Sequence, residues 1–451
     1  MFLPSIFKAY DIRGIVGQDF DAAFAHDLGQ AYVALRQRDG LTNKLRIVVA
    51  RDMRLTSPEL CQCLIDGLVA SGADVLDAGL LSTPAFYYAV SANEADGGIM
   101  VSASHNPKEW NGFKLVREKS KPISGESGIQ WLKTCIEEKN FPMGTGSIQS
   151  IQGTAAAQLH HDLIHIDVTA IKPFKIVADA ANSMGAQYLE LLFSRLPAEL
   201  VKLNFELDGS FPAHEADPLK KENLQQLSNA VIKEQADLGI ATDGDGDRVF
   251  FVDEKGEVID PSIIRGLLAR IFLAERPGSK ICYDVRPGKI TVDLIREAGG
   301  IPVLSRVGHS LIKEQMISED AYFAGESSGH FFLNLSIGCF EMPIIMIGKL
   351  LAEFSKGDKI SNFLKPYRRY SHSGEINRSV KDKAAVFALL EEKYQDAEIN
   401  RLDGISISYP DFWFNVRASN TEDKVRLNLE ALDQATMDKR RDEVLSLIEK
   451  A

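Results

Sequence analysis

Two short segments carry residues that could move a phosphoryl group. Ser102-Ala103-Ser104-His105-Asn106-Pro107 puts hydroxyls on a tight turn, because Asn-Pro initiates turns. Asp243-Gly244-Asp245-Gly246-Asp247-Arg248 offers three carboxylates at alternate positions with a guanidinium beside them. Close carboxylates repel one another, and a hard divalent cation removes that cost by taking oxygen ligands. The intervening glycines let the backbone fold tightly around an ion. A serine able to carry phosphate, next to a site for one divalent cation, makes a phosphotransfer centre in which the ion neutralises charge on the group in transit.

Each motif also has a plainer reading. An acidic turn can simply be solvated, and a serine in a turn is commonly a cap or a loop filler. The aspartate run superficially matches a calcium-binding EF-hand, since Glu254 falls at the twelfth position, but the sixth is Arg248 in place of glycine. Val249-Phe250-Phe251-Val252 then reads as a strand, which suits a strand–loop–strand ligand site. No Gly-x-Ser-x-Gly elbow surrounds a serine, so acyl transfer has no support. His161 and His165 have the i, i+4 spacing of a helical zinc site with His160 adjacent, yet no Glu follows His161; packing or solvated histidines are favoured.

With 451 residues and roughly 150 residues per domain as a prior, about three domains are expected. Hydrophobic residues at 45% and charged residues at 25% are ordinary for a soluble globular protein. The net charge of −12 and the lack of a basic stripe argue against nucleic acid as a partner. Cys61, Cys63, Cys135, Cys282 and Cys339 are scattered, with no disulfide framework; Cys61 and Cys63, a lone C-x-C in a helical run, fit a packing role, and a reducing cytoplasm fits the set. Met1 to Tyr10 lacks the pattern of a signal peptide. Met342 to Phe354, the most apolar stretch, is broken by Gly348, Lys349 and Glu353, so no membrane association is expected.

The elements that must position these motifs alternate between short apolar runs and helical patterns. Leu45–Ala50, Ala73–Asp77 and Gly98–Val101 read as strands, with helices near Pro58–Ala70 and Ala85–Ala92. The third strand runs straight into the serine turn, where a ligand of an α/β sheet belongs. Phe141–Gln158, rich in small and polar residues, reads as a linker. The rhythm restarts at Phe174–Asp179, with a helix opening at Ser183-Met184-Gly185, and Ala236–Ala241 delivers the aspartate loop. A third round begins near Asp260, with strands at Lys280–Val285 and Ile301–Ser305. Beyond Pro366 the texture changes: a hinge-like stretch, Arg368–Gly374, precedes a helix near Ala384–Tyr394, strands at Ile405–Ser408 and Val425–Leu429, and a charged closing helix.

Four motifs occur in a telling order: the serine turn, the aspartate run, Gly325-Glu326-Ser327-Ser328-Gly329-His330, and Arg417-Ala418-Ser419-Asn420-Thr421-Glu422. With the opening Lys8-Ala9-Tyr10-Asp11-Ile12-Arg13-Gly14, they make the full chain resemble the α-D-phosphohexomutases, most closely the bacterial phosphomannomutase/phosphoglucomutase branch. The resemblance implies an α/β protein with three similar α/β domains of mixed sheets plus a C-terminal α+β domain, arranged around a central cleft. The expected divisions are 1–148 (phosphoserine), 149–254 (metal), 255–367 (sugar recognition) and 368–451 (phosphate binding).

By the same resemblance, Ser104 is the phosphoserine, and Asp243, Asp245 and Asp247 hold Mg²⁺ together with its phosphate. Lys114, Arg13 and His330 are the candidates for proton transfer, with electrostatic positioning as the alternative for each. Glu326 and Ser328 are expected on the sugar 3- and 4-hydroxyls. Arg417, Ser419, Asn420 and Thr421 form the clamp for the distal phosphate, where a guanidinium can pair bidentately. Arg426 either joins that clamp or is a solvated residue of the next strand. Tyr10, Arg248, Arg286 and His309 match other substrate-lining positions. Asp423 stands where the family commonly has proline.

The implied reaction is reversible exchange between a hexose 1-phosphate and its 6-phosphate, with mannose or glucose as the sugar. Glucose 1,6-bisphosphate or mannose 1,6-bisphosphate is both intermediate and activator, and the partners are small sugar phosphates bound by a monomer or dimer. A phosphoglucosamine mutase is the alternative enzyme; there the loop is expected to read Glu-Gln-Ser, and Ser327 departs from both familiar versions. A non-catalytic sugar-phosphate binding protein and a phosphatase are the alternatives from other classes.

Overall fold

The computed structural model describes residues 2–418 and 424–450. They gather into two compact units, one formed by Met1–Ile259 with Ser328–Phe363 and the other by Asp260–Ser327 with Leu364–Ala451. The glycine-flanked segment Gly325–His330 is therefore divided between them, after Ser327.

The first unit contains two mixed sheets. Strands β1 (Ile12–Ile15), β2 (Arg46–Arg51), β3 (Asp74–Leu80), β4 (Gly97–Val101), β5 (Trp110–Arg117) and β6 (Ile148–Ser150) lie in the order β1-β5-β4-β2-β3-β6. The pairings among β4, β2, β3 and β6 are parallel, and β5 runs antiparallel to both β4 and β1. Strands β7 (Phe174–Asp179), β8 (Ala198–Leu203), β9 (Leu238–Thr242) and β10 (Val249–Asp253) form the second sheet in the order β10-β9-β7-β8. Both β4 and β9 are buried at every position. That burial accounts for their unbroken apolar runs and fixes where their C-terminal ends emerge. One core of the first sheet, including Ile47, Val49, Ile99 and Val101, is sealed by apolar residues of the helices Ala22–Arg38 and Ser57–Ala70.

The segment expected as a linker, Phe141–Gln158, is partly structured. Ser147 O accepts from Val75 N at 2.8 Å, and Ile151 N donates to Asp77 O at 2.9 Å, which adds β6 to the sheet edge. All three β6 residues are exposed, so no apolar alternation marks the strand. A helix then begins at Thr154.

In the second unit, Lys280–Asp284 runs parallel to both Ile301–Ser305 and Phe323–Gly325. The C-terminal sheet orders its strands as Ser371–Ser379, Lys424–Ala431, Phe412–Ala418, Ile405–Ser408 and Glu398–Asn400, all antiparallel. The helices Lys383–Lys393 and Gln434–Ile448 complete an α+β domain. The expected hinge Arg368–Gly374 is corrected: from Ser371 onward the chain is strand, with a register irregularity between His372 and Glu375 and Gly374 at φ 70°. Among the described residues, no helix is long and apolar enough to cross a membrane.

Glu430 ties the last sheet to its neighbour within this unit. Its Oε2 accepts from Lys289 N at 2.9 Å and from Trp413 Nε1 at 2.6 Å. Lys289 opens the helix Lys289–Glu297, whose N-cap Gly288 has no side chain to offer, so a carboxylate from elsewhere serves its free N–H. Glu430 is only 3% exposed, and that burial pushes its pKa up to about 7 despite the two donors. A raised carboxyl pKa stabilises the fold below the unfolded value and loses that contribution as pH rises through the folded one. The melting temperature of Glu430→Gln, measured against pH, is expected to lose less between about pH 4.5 and 7 than that of the native chain, with a difference of about 3 kcal/mol at most.

Candidate active site

In the first unit the serine turn and the aspartate loop meet. Strand β4 ends at Val101 and is followed by Ser102, whose Oγ accepts from Ser104 N at 3.0 Å; this bends the chain so that Ser104 adopts φ 51°. Strand β9 ends in Thr242, immediately before Asp243. Ser104 Oγ donates to Asp243 Oδ2 at 2.8 Å. The approach continues along the backbone, for a Cβ at Gly244 would sit 2.2 Å from Ser104 O. Only glycine permits that spacing.

The aspartate loop is held from below and from both sides. Ser183 Oγ donates to Asp243 O at 3.0 Å, and Met184 N donates to Gly244 O at 3.3 Å. Thr83, at the start of the helix Thr83–Ala92, donates its N–H to Asp245 O at 2.9 Å and its hydroxyl to Asp245 Oδ2 at 2.6 Å. Arg248 N donates to Asp243 Oδ1 at 3.2 Å. Ligand atoms of Asp243, Asp245 and Asp247 lie within 4.8 Å of one another, and all three residues are buried.

Two cations partly offset these three carboxylates. Lys114 Nζ, on β5, reaches Asp245 Oδ2 and Asp247 Oδ2, each at 2.5 Å. Burial alone would lower the Lys114 pKa, but the two carboxylates outweigh it and hold the ammonium well above its ordinary value. Arg248 Nε stands 3.6 Å from Asp243 Oδ2. Compensation is least complete at Asp243: burial, then repulsion from Asp247 and Asp245, pushes its carboxyl up to about 8, disfavouring the charged form until a cation is present. Asp247 goes the other way, well below its usual range; burial is overcome by Lys114 and His330. Asp245 Oδ1 is buried with no hydrogen-bond donor among the described residues. An uncompensated trio with a spare inward oxygen fits a divalent cation.

His330 completes this group. Its Nε2 lies 3.2 Å from both Arg248 Nε and Asp247 Oδ1, and its Nδ1 is 3.1 Å from Ser328 Oγ. Arg13 Nη1 donates to Asn106 Oδ1 at 2.9 Å and to Ala103 O at 3.3 Å, so it grips the serine turn, while its Nε pairs with Asp11 at 2.6 Å. Tyr10 lies in the bend leading to β1 and is partly exposed. Glu254 faces away from the aspartate loop and accepts from Ser361 N at 3.0 Å, which removes the EF-hand reading. His161 pairs with Asp162 at 2.9 Å and packs on the His165 ring at 5.4 Å; neither belongs to a group of three potential ligands among the described residues.

Sequence reasoning passed over Arg54. It is 1% exposed, and its guanidinium donates to four carbonyls of the serine turn and its flank: Ser104 O at 2.8 Å, Asn106 O at 2.6 Å, Pro107 O at 2.8 Å and Trp110 O at 2.9 Å. Asp52 stands 3.3 Å from its Nε. The one available signal was position, since Arg51-Asp52-Met53-Arg54 follows the carboxyl end of a buried strand.

The remaining candidates lie in the second unit. Asp284 is their hub: it pairs with Arg286 Nε at 2.8 Å and Arg265 Nη1 at 3.0 Å, and it accepts from Ser327 N and Ser327 Oγ, each at 3.0 Å. Against its burial, Arg286 and Arg265 hold its carboxyl down to about 2. Ser327, the variable loop residue, therefore spends its hydroxyl inward on Asp284. Glu326 Oε1 accepts from Gly308 N at 2.8 Å beside His309, and Arg286 Nη2 is 3.8 Å away. Arg417 and Arg426 sit directly opposite each other on adjacent strands. Ser419, Asn420 and Thr421 lie outside the described residues.

Comparison with known proteins matches the chain to four family models, described as phosphoglucomutase/phosphomannomutase alpha/beta/alpha domains I (residues 4–143), II (156–256) and III (260–353) and the C-terminal domain (375–447). A phosphomannomutase of Escherichia coli is 38% identical, covering 98% of each chain. Phosphohexose mutases of Xanthomonas campestris pv. campestris are also 38% identical, covering 99% of this chain and 100% of theirs. Among solved structures, a phosphoglucomutase/phosphomannomutase family protein from Burkholderia thailandensis superposes with a TM-score of 0.90 at 34% identity, covering 100% of this chain and 98% of that one.

Two substitutions test the positioning. Gly244→Ala forces the loops apart, and Arg54→Lys replaces a four-pronged donor with a point charge. Each is expected to lower turnover about 100-fold, the order of loss that a displacement near 1 Å causes. Circular dichroism should remain native in both, and steady-state kinetics reads the loss.

Proposed function

The chain belongs to the phosphoglucomutase/phosphomannomutase family, and from that premise we propose that it exchanges hexose 1-phosphates and hexose 6-phosphates, of mannose and glucose, through a phosphoserine at position 104. The observation that carries this reading is the 2.8 Å contact between Ser104 Oγ and a carboxylate of the aspartate trio. Phosphate on Ser104 passes to the free hydroxyl of the sugar phosphate, giving a sugar 1,6-bisphosphate. That intermediate turns over and returns its other phosphate to Ser104. Glucose or mannose 1,6-bisphosphate would prime an unphosphorylated serine in the same way.

Asp243, Asp245 and Asp247 would hold Mg²⁺ with a phosphate oxygen, where the ion neutralises charge on the transferring group. Arg54 and Arg13 keep the serine turn rigid through its carbonyls and Asn106. Lys114 is held protonated, which suits donating a proton to a leaving oxygen over abstracting one. His330, between Arg248 and Asp247, is positioned to stabilise the same group. Arg417 and Arg426, with Arg286 and residues 419–421, would take the distal phosphate; Glu326, Ser328, His309 and Tyr10 would address the sugar.

Ser104→Ala is expected to lower mutase turnover by about 1,000-fold or more, since the covalent route is lost. Intact mass after incubation with glucose 1,6-bisphosphate should show one phosphate gained, mapped to Ser104. Turnover of mannose 1-phosphate and glucose 1-phosphate should exceed that of glucosamine 1-phosphate. Net release of inorganic phosphate without isomerisation would point to a phosphatase instead.

A further inference from the structure

Within the second unit, three arginines gather around one carboxylate. Arg417 Nη2 lies 3.1 Å from Glu375 Oε2, Arg426 Nη1 lies 3.4 Å from Glu375 Oε1, and Asn428 Nδ2 is 3.5 Å from Oε2. Arg286 is close enough to act electrostatically on both Glu375 and Arg417. Arg417 and Arg426 are a direct cross-strand pair, an arrangement of like charges that is unfavourable on its own. Glu375 reaches them from the edge strand Ser371–Ser379, just past the register irregularity that follows His372. Such irregularities re-aim side chains.

The clamp is not saturated by this carboxylate. Arg417 is 8% exposed, yet its buried Nε has no acceptor among the described residues, and the same holds for Arg426 Nε. Two guanidinium groups whose Nε donors meet no acceptor among the described residues, beside a third, offer more positive charge and more N–H groups than one carboxylate can take. A phosphate could fill the remainder. In doing so it would meet the negative charge of Glu375 within the same cluster.

We infer that Glu375 is an internal competitor of the distal phosphate: it keeps Arg417 and Arg426 arranged when no ligand is bound and weakens their hold when one is. This rests on the reading of Arg417 and Arg426 as a phosphate clamp. A mutase that binds its ligand's phosphates alternately gains from such loosening, because a clamp of bare arginines would retain a dianion too long. Glu375 is thus a determinant of affinity that touches the clamp and takes no part in the transfer itself.

The test measures binding of inorganic phosphate, by calorimetry and by competition against glucose 6-phosphate, in the native chain, Glu375→Gln and Arg417→Ala. Removing one negative charge at contact distance is expected to tighten phosphate binding about tenfold in Glu375→Gln. Arg417→Ala should weaken it by a similar factor. A general folding defect would not raise affinity, so tightening is diagnostic. If Arg417→Ala weakens binding while Glu375→Gln leaves it unchanged or weaker, the inference fails and the clamp stands. If Arg417→Ala has no effect, the clamp reading itself fails. Should Glu375→Gln not fold, Glu375→Asp, which withdraws the charge by one methylene, must shift affinity in the same direction by a smaller factor; no shift overturns the inference.

Discussion

Mutual repulsion among Asp243, Asp245 and Asp247 is the constraint around which the first unit is organised. Two unit charges 4 Å apart at an effective dielectric near 20 interact by about 4 kcal/mol, so three buried carboxylates this close need compensation from several directions. The fold supplies it from distant parts of the chain. Lys114 comes from the strand after the serine turn, Thr83 from a helix start, Arg248 from the loop itself and His330 from the unit's later stretch, Ser328–Phe363. None of these would converge without both sheets delivering their loops at the same edge.

Such an arrangement separates two tasks. The first unit holds charge that a cation and a phosphoryl group can share. The second builds its polar residues around Asp284, which organises Arg265, Arg286 and Ser327 without leaving any of its own oxygens spare for a ligand. Asp284 is thus the counterpart of the aspartate trio with the opposite charge balance: one carboxylate among guanidinium groups, where the other has three carboxylates among fewer cations.

Much of this was legible in the chain. Buried runs such as Gly97–Val101 and Leu238–Thr242 announce strands because they carry no charged residue and hold a short apolar stretch, and the motifs at their ends follow directly. The aspartate trio is visible because repulsion at that spacing demands an explanation. Elements without a run or alternation of apolar residues were not visible. Ile148–Ser150 exposes all its side chains, and Ser371–Ser379 is polar with a glycine inside it. Arg54, Asp284 and Glu375 escaped for a different reason: a charged residue after a strand has no marked partner until the fold chooses one. Ser327 departs from both familiar versions of the loop and leaves the sugar choice open; in the fold its hydroxyl is directed to Asp284.

On the serine turn and its flank Arg54 grips main-chain oxygens and no side chain, and this bears on how the turn would behave across the proposed exchange. Carbonyl acceptors are indifferent to whether the hydroxyl at 104 is bare or esterified. On the proposed phosphoserine route, Arg54 would therefore keep the same hold on the turn in both states, while the Ser104 Oγ contact with Asp243 would be exchanged.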